Sequence, residues 1–265
     1  MSIACYYIDF SYTIFFAGNP DLLKFISNLF LFQAFIPSQD YYFSLNAPSW
    51  SISVEFFLYL LFPLLIKFRN SYLIVVSIFF IIIKCMLPIE TEDTQHAFLY
   101  ISPLFRIADF SIGILIYRYR RNIFNHTKSV IVNCLQFSSV IILLLFIYFS
   151  SYANISYRYD IYYIIPMSLL ILSLSFNYGL IGKLLSGRAI VLLGEASFSL
   201  YMTHQLVIRY LLKINERFNL LSDGLLLISI ISLCLIVSVI FYKFIEIPMK
   251  NWTYEKLMSI YKKKN

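Results

Sequence analysis

Charge is what this sequence has least of. Asp, Glu, Lys and Arg together make up 13% of its 265 residues, against about 25% in an ordinary soluble domain. A large water-soluble domain is therefore excluded. Glycine is scarce too, with seven residues, and none builds a phosphate loop or a G-x-S-x-G elbow; H-E-x-x-H is also absent. The four cysteines, Cys5, Cys85, Cys134 and Cys234, lie in apolar stretches without a C-x-x-C pair. A disulfide framework or a zinc site is not expected, and no metal ligands are assigned. No Lys or Arg precedes Lys24, so the charged n-region of a cleavable signal peptide is missing. Internal repeats, low-complexity runs and Gly/Ser linkers are also missing, and residues 1–265 read as a single domain.

What is present is hydrocarbon. The chain is 60% hydrophobic and 19% aromatic, with a mean hydropathy of +0.76. A membrane span needs about 20 mostly apolar residues. The runs at 2–17, 50–68, 71–89, 98–117, 128–149, 158–177, 190–212 and 224–247 meet or approach that length. The fold class is all-α, a polytopic transmembrane helical bundle of about eight spans. Segment 22–36 (LLKFISNLFLFQAFI) is short, and either spans thinly or lies in the interface.

The net charge of +7 is spread over short loops, the pattern that sets membrane topology rather than one that binds nucleic acid. Arg118, Arg120, Arg121 and Lys128 share one loop, and Lys262, Lys263 and Lys264 end the tail. Lys67 and Arg69 flank a third connection, and Lys183 and Arg188 a fourth. These regions fall on one side, which the positive-inside rule makes cytoplasmic. The C-terminus is then inside. The N-terminus is inside with eight spans and outside if 22–36 also spans.

A charge at the centre of a span costs about 2.5–3.5 kcal/mol on insertion scales. Such residues persist where a cavity or a partner solvates them. Glu55, Arg106, Asp109, Glu195 and His204 stand out. Helical spacing groups them into stripes: Ser51, Glu55 and Tyr59; Arg106, Asp109 and Gly113; Ser197, Tyr201 and His204. Arg106 and Asp109 can pair, and Gly113 can admit a neighbouring helix closely. Pairing is the usual way buried charges survive, so a structural role weighs more for Arg106 and Asp109 than a catalytic one. Glu195 is read as snorkelling to the inner interface. The economical arrangement turns the three stripes toward one polar cavity, with Glu55 and His204 as candidate catalytic groups.

These residues carry a resemblance. WSISVEFFLYLLFPLL (50–65) resembles the W-S-x-S-V-E-x-x-F-Y-x-x-x-P signature of the acyltransferase 3 family, the bacterial integral-membrane O-acyltransferases. ISNLFLFQAF (26–35) is similar to that family's N-L-x-F-x-Q segment. SPLFRIADFSIGILIY (102–117) resembles its P-x-x-R-x-x-E/D-F-x-x-G block, through Pro103, Arg106, Asp109, Phe110 and Gly113. LGEASFSLYMTHQLVI (193–208) is similar to its L-G-x-x-S-Y-S-L-Y-L-x-H block, ending on His204. IEIPMKNW (245–252) resembles its closing E-x-P-x-x-x-W, through Glu246, Pro248 and Trp252.

The resemblance implies ten spans, both termini cytoplasmic, and a bacterial inner membrane. It implies transfer of an acyl group, commonly acetyl from acetyl-CoA, to a hydroxyl of a surface glycan such as a lipopolysaccharide or capsule, or of a lipid-linked sugar. It also favours 22–36 as non-spanning. Met1 falls where the family's third span begins, and the family's earlier arginine and histidine have no counterpart here. The chain is thus expected to be an N-terminally shortened member: a fragment, a misassigned start, a decayed gene, or half of a split protein whose first two helices a separate polypeptide supplies.

On this reading Glu55 and His204 are catalytic. Arg106, Asp109, Tyr59, Ser197 and Tyr201 meet substrate, and Arg118, Arg120 and Arg121 attract the phosphates of acyl-CoA. No permanently bound cofactor is expected. Two rivals use the same residues. One is a transporter or flippase passing a polar solute, against which the lack of repeated halves counts. The other is a non-catalytic remnant that folds without activity.

Overall fold

The structure, a computed structural model, describes residues 21–87, 92–123, 128–176 and 178–264. The expected span 2–17 lies outside the described residues. Two compact units are present, Met1–Leu184 and Leu185–Asn265. Among the described residues the regular structure is helical, as the composition predicts.

The first unit opens with α1, Leu22–Leu29. At 1.5 Å per residue its eight residues cover about 12 Å, far short of the roughly 30 Å hydrocarbon core. Segment 22–36 therefore does not form a transmembrane helix. Asp21 caps α1 by accepting the Leu23 amide, and Leu31 ends it at a φ of 55°. A bulky residue rarely holds that left-handed conformation. Here the Ser53 hydroxyl donates to the Leu31 carbonyl at 2.6 Å and fixes it. Gln33, fully buried, donates through Nε2 to the Ser49 carbonyl at 3.2 Å. The family-like residues Gln33 and Ser53 thus stitch this segment onto the start of the next helix.

That helix is α2, Trp50–Leu65, followed by α3, Asn70–Met86. Helix α4 covers Ile107–Ile123, α5 covers Ser129–Phe149 and α6 covers Ile161–Leu174. α4 packs on α3 and α6, and α5 packs on α6. Helices around Ala47–Leu65 and Ser129–Tyr152 are long and apolar enough to cross a membrane, and Asn70–Met86 and Ile161–Leu174 are shorter apolar helices. Many large apolar side chains on these helices face outward, among them Val75, Ile141 and Leu144. Such faces suit lipid, whose tails are as apolar as the side chains themselves.

One expected span is broken. Residues 98–117 do not form a continuous helix. A π-helical turn, His96–Ile101, stops at Ser102, whose backbone is extended at φ −57° and ψ 124°. Pro103 is the cause, because its ring disfavours helical geometry in the preceding residue and it lacks an amide donor. The chain resumes as α4 only at Ile107. Arg106 and Asp109 therefore sit at the beginning of a helix rather than in the middle of a span.

The α5–α6 interface is polar in a controlled way. Gln136 of α5 is fully buried. Its Nε2 donates to the carbonyls of Phe176 (3.1 Å) and Ser173 (3.4 Å) at the end of α6. Its Oε1 accepts from the Ile181 and Gly182 amides at 3.1 and 3.3 Å. One side chain thus serves backbone groups that helix ends leave without partners. Gly179 is required beside it, since a Cβ there would collide with the Gln136 amide.

The second unit holds α7, Arg188–Glu195, α8, Ser197–Phe218, and α9, Asp223–Phe241. A π-helical turn, Tyr242–Glu246, leads into α10, Ile247–Lys264. The expected span 190–212 is likewise interrupted, at Ala196 between α7 and α8. Asn219 closes α8 in the left-handed conformation. Asn215 clamps the following turn by accepting the Leu221 amide and donating to the Leu221 carbonyl, at 2.8 and 3.1 Å. The α8–α9 pair is a helical hairpin. The continuous helix Asp223–Ser259 has 37 residues, about 55 Å, so it is longer than the hydrocarbon core is thick.

Candidate functional site

The strongest concentration of buried charge lies in the first unit. Lys84, near the end of α3, is 4% exposed, and Asp160, immediately before α6, is 7% exposed. They form a salt bridge. Arg106 joins it, with its Nη1 3.4 Å from Asp160 Oδ1 and 3.1 Å from Asp109 Oδ2. Two cations and two carboxylates therefore balance at one point where three helices meet. Asp109 and Asp160 both stand at helix N-termini, where the backbone dipoles favour negative charge. Arg106 is held further by donating from Nε to the Tyr100 carbonyl at 3.0 Å. Its guanidinium also lies 4.8 Å from the centre of the Tyr100 ring.

An aromatic wall borders this network. Trp50 and Tyr100 rings are 5.2 Å apart, Tyr100 and His96 are 5.2 Å apart, and His96 and Tyr159 are 5.4 Å apart. His96 Nδ1 lies 3.3 Å from the Tyr42 hydroxyl. Burial lowers the His96 imidazole to about 4, with Asp93 opposing the fall and Arg106 adding to it. The ring is therefore neutral near pH 7. Burial, then the charge of Asp93, raises the Tyr42 phenol above its usual range.

Beyond the network a cleft of about 290 Å³ runs between α4 and α6. Arg106, Asp109, Tyr159 and Asp160 line one end; Gly113, Ile116, Met167 and Ile171 line the other. Among the described residues the expected close helix approach at Gly113 does not occur. A Cβ there would meet nothing within 4 Å, so the glycine opens the cleft instead of admitting a helix.

The structure brings Arg106 and Asp109 together as expected, but their further partners are Lys84 and Asp160 rather than Glu55. Glu55 is exposed on α2, 3.5 Å from the Tyr59 hydroxyl. Neither Glu55 nor Tyr59 lines the cleft. Among the described residues of this unit, the cavity expected to be shared by their stripe and the Arg106 stripe is thus not formed. Arg118 donates to the Ile66, Phe68 and Asn70 oxygens at 2.7, 2.8 and 2.7 Å. Arg120 donates to the Ser175 carbonyl at 2.6 Å. Both arginines thereby hold helix C-terminal carbonyls, which carry the negative end of the dipole. The side chain of Arg121 lies outside the described residues.

In the second unit Ser197, Tyr201 and His204 occupy the first two turns of α8. His204 Nδ1 lies 2.7 Å from the Tyr201 carbonyl. A carbonyl only accepts, so Nδ1 carries the hydrogen. In the uncharged ring the lone pair then sits on Nε2. The two rings are 5.8 Å apart. Ser199 donates to Glu246 at 2.7 Å, which ties the last family-like block to α8. Tyr242 donates to the exposed Glu195 at 2.8 Å.

Lys84 and Asp160 were not among the candidates that sequence spacing supplies. Lys84 carried a usable signal, a lone cation in an apolar run. Asp160 stands at the very start of the expected span 158–177, where a charge can reach the interface, and nothing local links it to Lys84. His96 gave no signal at all, because its ring neighbours Tyr42, Phe43 and Tyr159 lie far from it in sequence.

Among curated proteins and among solved structures none matches this chain. An acyltransferase domain family matches residues 4–243, a stretch that draws on both units. The chain therefore belongs to the acyltransferase 3 family of multi-pass membrane proteins.

Proposed function

We propose that this protein moves an acyl group, acetyl in the simplest case, from acyl-CoA to a hydroxyl of a cell-surface polysaccharide or another glycan. It would work in a bacterial inner membrane with its C-terminus in the cytoplasm. The match of the acyltransferase domain over residues 4–243 carries this reading. In the reaction the acceptor oxygen attacks the thioester carbonyl, the hydroxyl proton passes to a base, and the CoA thiolate leaves and is protonated.

His204 suits the base, because its Nδ1–H is committed to the Tyr201 carbonyl and its Nε2 keeps the lone pair. Tyr201 and Ser197 on the same face would hydrogen-bond a substrate. Glu55, a carboxylate on an apolar helix, would accept a sugar hydroxyl or orient a base, with Tyr59 beside it. The wall formed by Trp50, Tyr100, His96 and Tyr159 presents flat apolar faces next to hydrogen-bonding groups, a mixture that suits a sugar ring. Arg106 and Asp109 would position such a ring. Arg118, Arg120 and Arg121 would give the donor's phosphates a basic approach, although Arg118 and Arg120 also hold backbone carbonyls.

The test uses membrane vesicles containing the protein, supplied with acetyl-labelled acetyl-CoA. Label should enter glycan hydroxyls without net uptake of a polar solute. Solute uptake without acetyl transfer would instead establish the transporter reading.

A further inference from the structure

The cleft between α4 and α6 runs past the Arg106 and Asp109 end that the acyl-transfer reading uses, into an apolar stretch that it does not use. The two helices run side by side in the same direction. At their N-terminal ends Arg106 and Asp160 are 3.4 Å apart. At their C-terminal ends Arg120, in the last turn of α4, donates to the carbonyl of Ser175, which caps α6, at 2.6 Å. These ties are 14 residues apart along α4, or about 21 Å. The helices are thus pinned at both ends and part between them, where Gly113 offers no side chain and is exposed.

The lining is graded. Its polar end lies where both helices begin, next to a cluster whose charges cancel. Its other end, at Ile112, Gly113, Ile116 and Ile171, is hydrocarbon. A volume of about 290 Å³ is nearly twice that of a 150 Å³ cavity that holds benzene, so it accommodates on the order of ten carbon atoms. That is one chain and not two.

We infer that this cleft binds one hydrocarbon chain of a zwitterionic bilayer lipid, with the head group at the Arg106–Asp109–Tyr159 end and the chain lying along Gly113. Orientation supports a lipid, because a head at the helix ends and a tail parallel to the helices is how a lipid already lies in the leaflet. Electrostatics supports a head group of no net charge, since two cations and two carboxylates leave no surplus to attract an anion. The site shares Arg106, Asp109 and Tyr159 with the acyl-transfer reading, but the bound chain lies beyond them along Gly113 and its binding does not depend on acyl transfer.

The test reconstitutes the full chain in bilayers carrying a phospholipid with a photoreactive group at mid-chain, and maps the labelled peptides. In separate arms the probe head group is zwitterionic, anionic or an uncharged sugar. The zwitterionic probe should enrich label on residues 112–116 and 164–171 over the lipid-facing side of α5 at Ile141 and Leu144. Gly113→Leu should lower that enrichment about tenfold, in line with the discrimination of an apolar pocket against misfit. It should leave α5 labelling unchanged. Gly113→Ala, whose methyl takes the place of one methylene of the bound chain and meets no protein atom within 4 Å, should lower it about fourfold while keeping the fold measurable. Three results would overturn the inference: even labelling of all lipid-facing helices, enrichment unaffected by either substitution, or enrichment by the anionic or sugar probe in place of the zwitterionic one. Because labelling needs no acyl transfer, the outcome is separate from that of the enzymatic assay.

Discussion

Replacing Asp160 by Asn removes one carboxylate from a cluster in which charge is balanced. The Lys84 side chain is 0% exposed and that of Asp160 is 6% exposed, so solvent cannot substitute for the lost partner. Opposite charges in contact attract by about 4 kcal/mol at an effective dielectric of 20. Breaking a buried pair from one side typically costs about 3–5 kcal/mol, because the remaining charge stays desolvated. Arg106 keeps Asp109 at 3.1 Å, which retains part of the balance, so we expect about 3 kcal/mol for Asp160→Asn. Lys84→Met alone should cost a similar amount. The double variant Lys84→Met/Asp160→Leu should recover much of the loss, since an apolar pair of similar volume is often neutral. An internal control is the pair Lys24–Asp40, 3.9 Å apart with the Lys24 side chain 12% and the Asp40 side chain 55% exposed, where water reaches the carboxylate and Asp40→Asn should cost less than about 1 kcal/mol. The assay is reversible unfolding in mixed micelles, read by tryptophan fluorescence. Loss below about 1 kcal/mol for Asp160→Asn, or a double variant no better than the singles, would refute a structural network of this kind.

Other consequences follow from single contacts. Gly179→Ala should destabilise by about 1–3 kcal/mol, the cost of overpacking, and thermal unfolding in detergent measures it; Gln136→Ala on that background should recover part of the loss. Gln136→Leu should cost about 1–3 kcal/mol through backbone groups left without partners, detected as faster hydrogen exchange at Ile181 and Gly182. For His96, the folded ring titrates at about 4 and the unfolded ring at 6.5, so the unfolded state binds more protons between those values. Stability should therefore be full above pH 6.5 and fall as the pH drops toward 4, and His96→Phe should flatten that limb of the melting-temperature profile. Glu55→Gln, at normal protein level, should abolish most glycan O-acetylation as seen by mass spectrometry. Unchanged acetylation would remove Glu55 from the mechanism.

Apolar run length made the helices legible, because hydrocarbon thickness constrains every span in the same way. Two breaks were not legible from hydropathy, since Ser102–Pro103 and Ala196 interrupt helices without interrupting apolarity. Pro103 carried a signal that the steric rule for the preceding residue reads directly. The Arg106–Asp109 pair was visible in its three-residue spacing. Its completion by Lys84 and Asp160 was not, because that depends on how α3, α4 and α6 pack. Gly113 shows the limit of spacing arguments. The same absent side chain serves a tight helix contact or an open cleft, and only the neighbouring helix decides between them.

The central claim is that this chain belongs to an acyl-transfer reaction on a glycan. Its most direct test is mass spectrometry of surface glycan from three strains: cells carrying the gene, cells lacking it, and cells lacking it with the chain restored. We predict that acyl-modified hydroxyls disappear with the gene and return with the chain. Glycan of identical mass in all three strains, with the protein present in the membrane of the restored one, would contradict the claim.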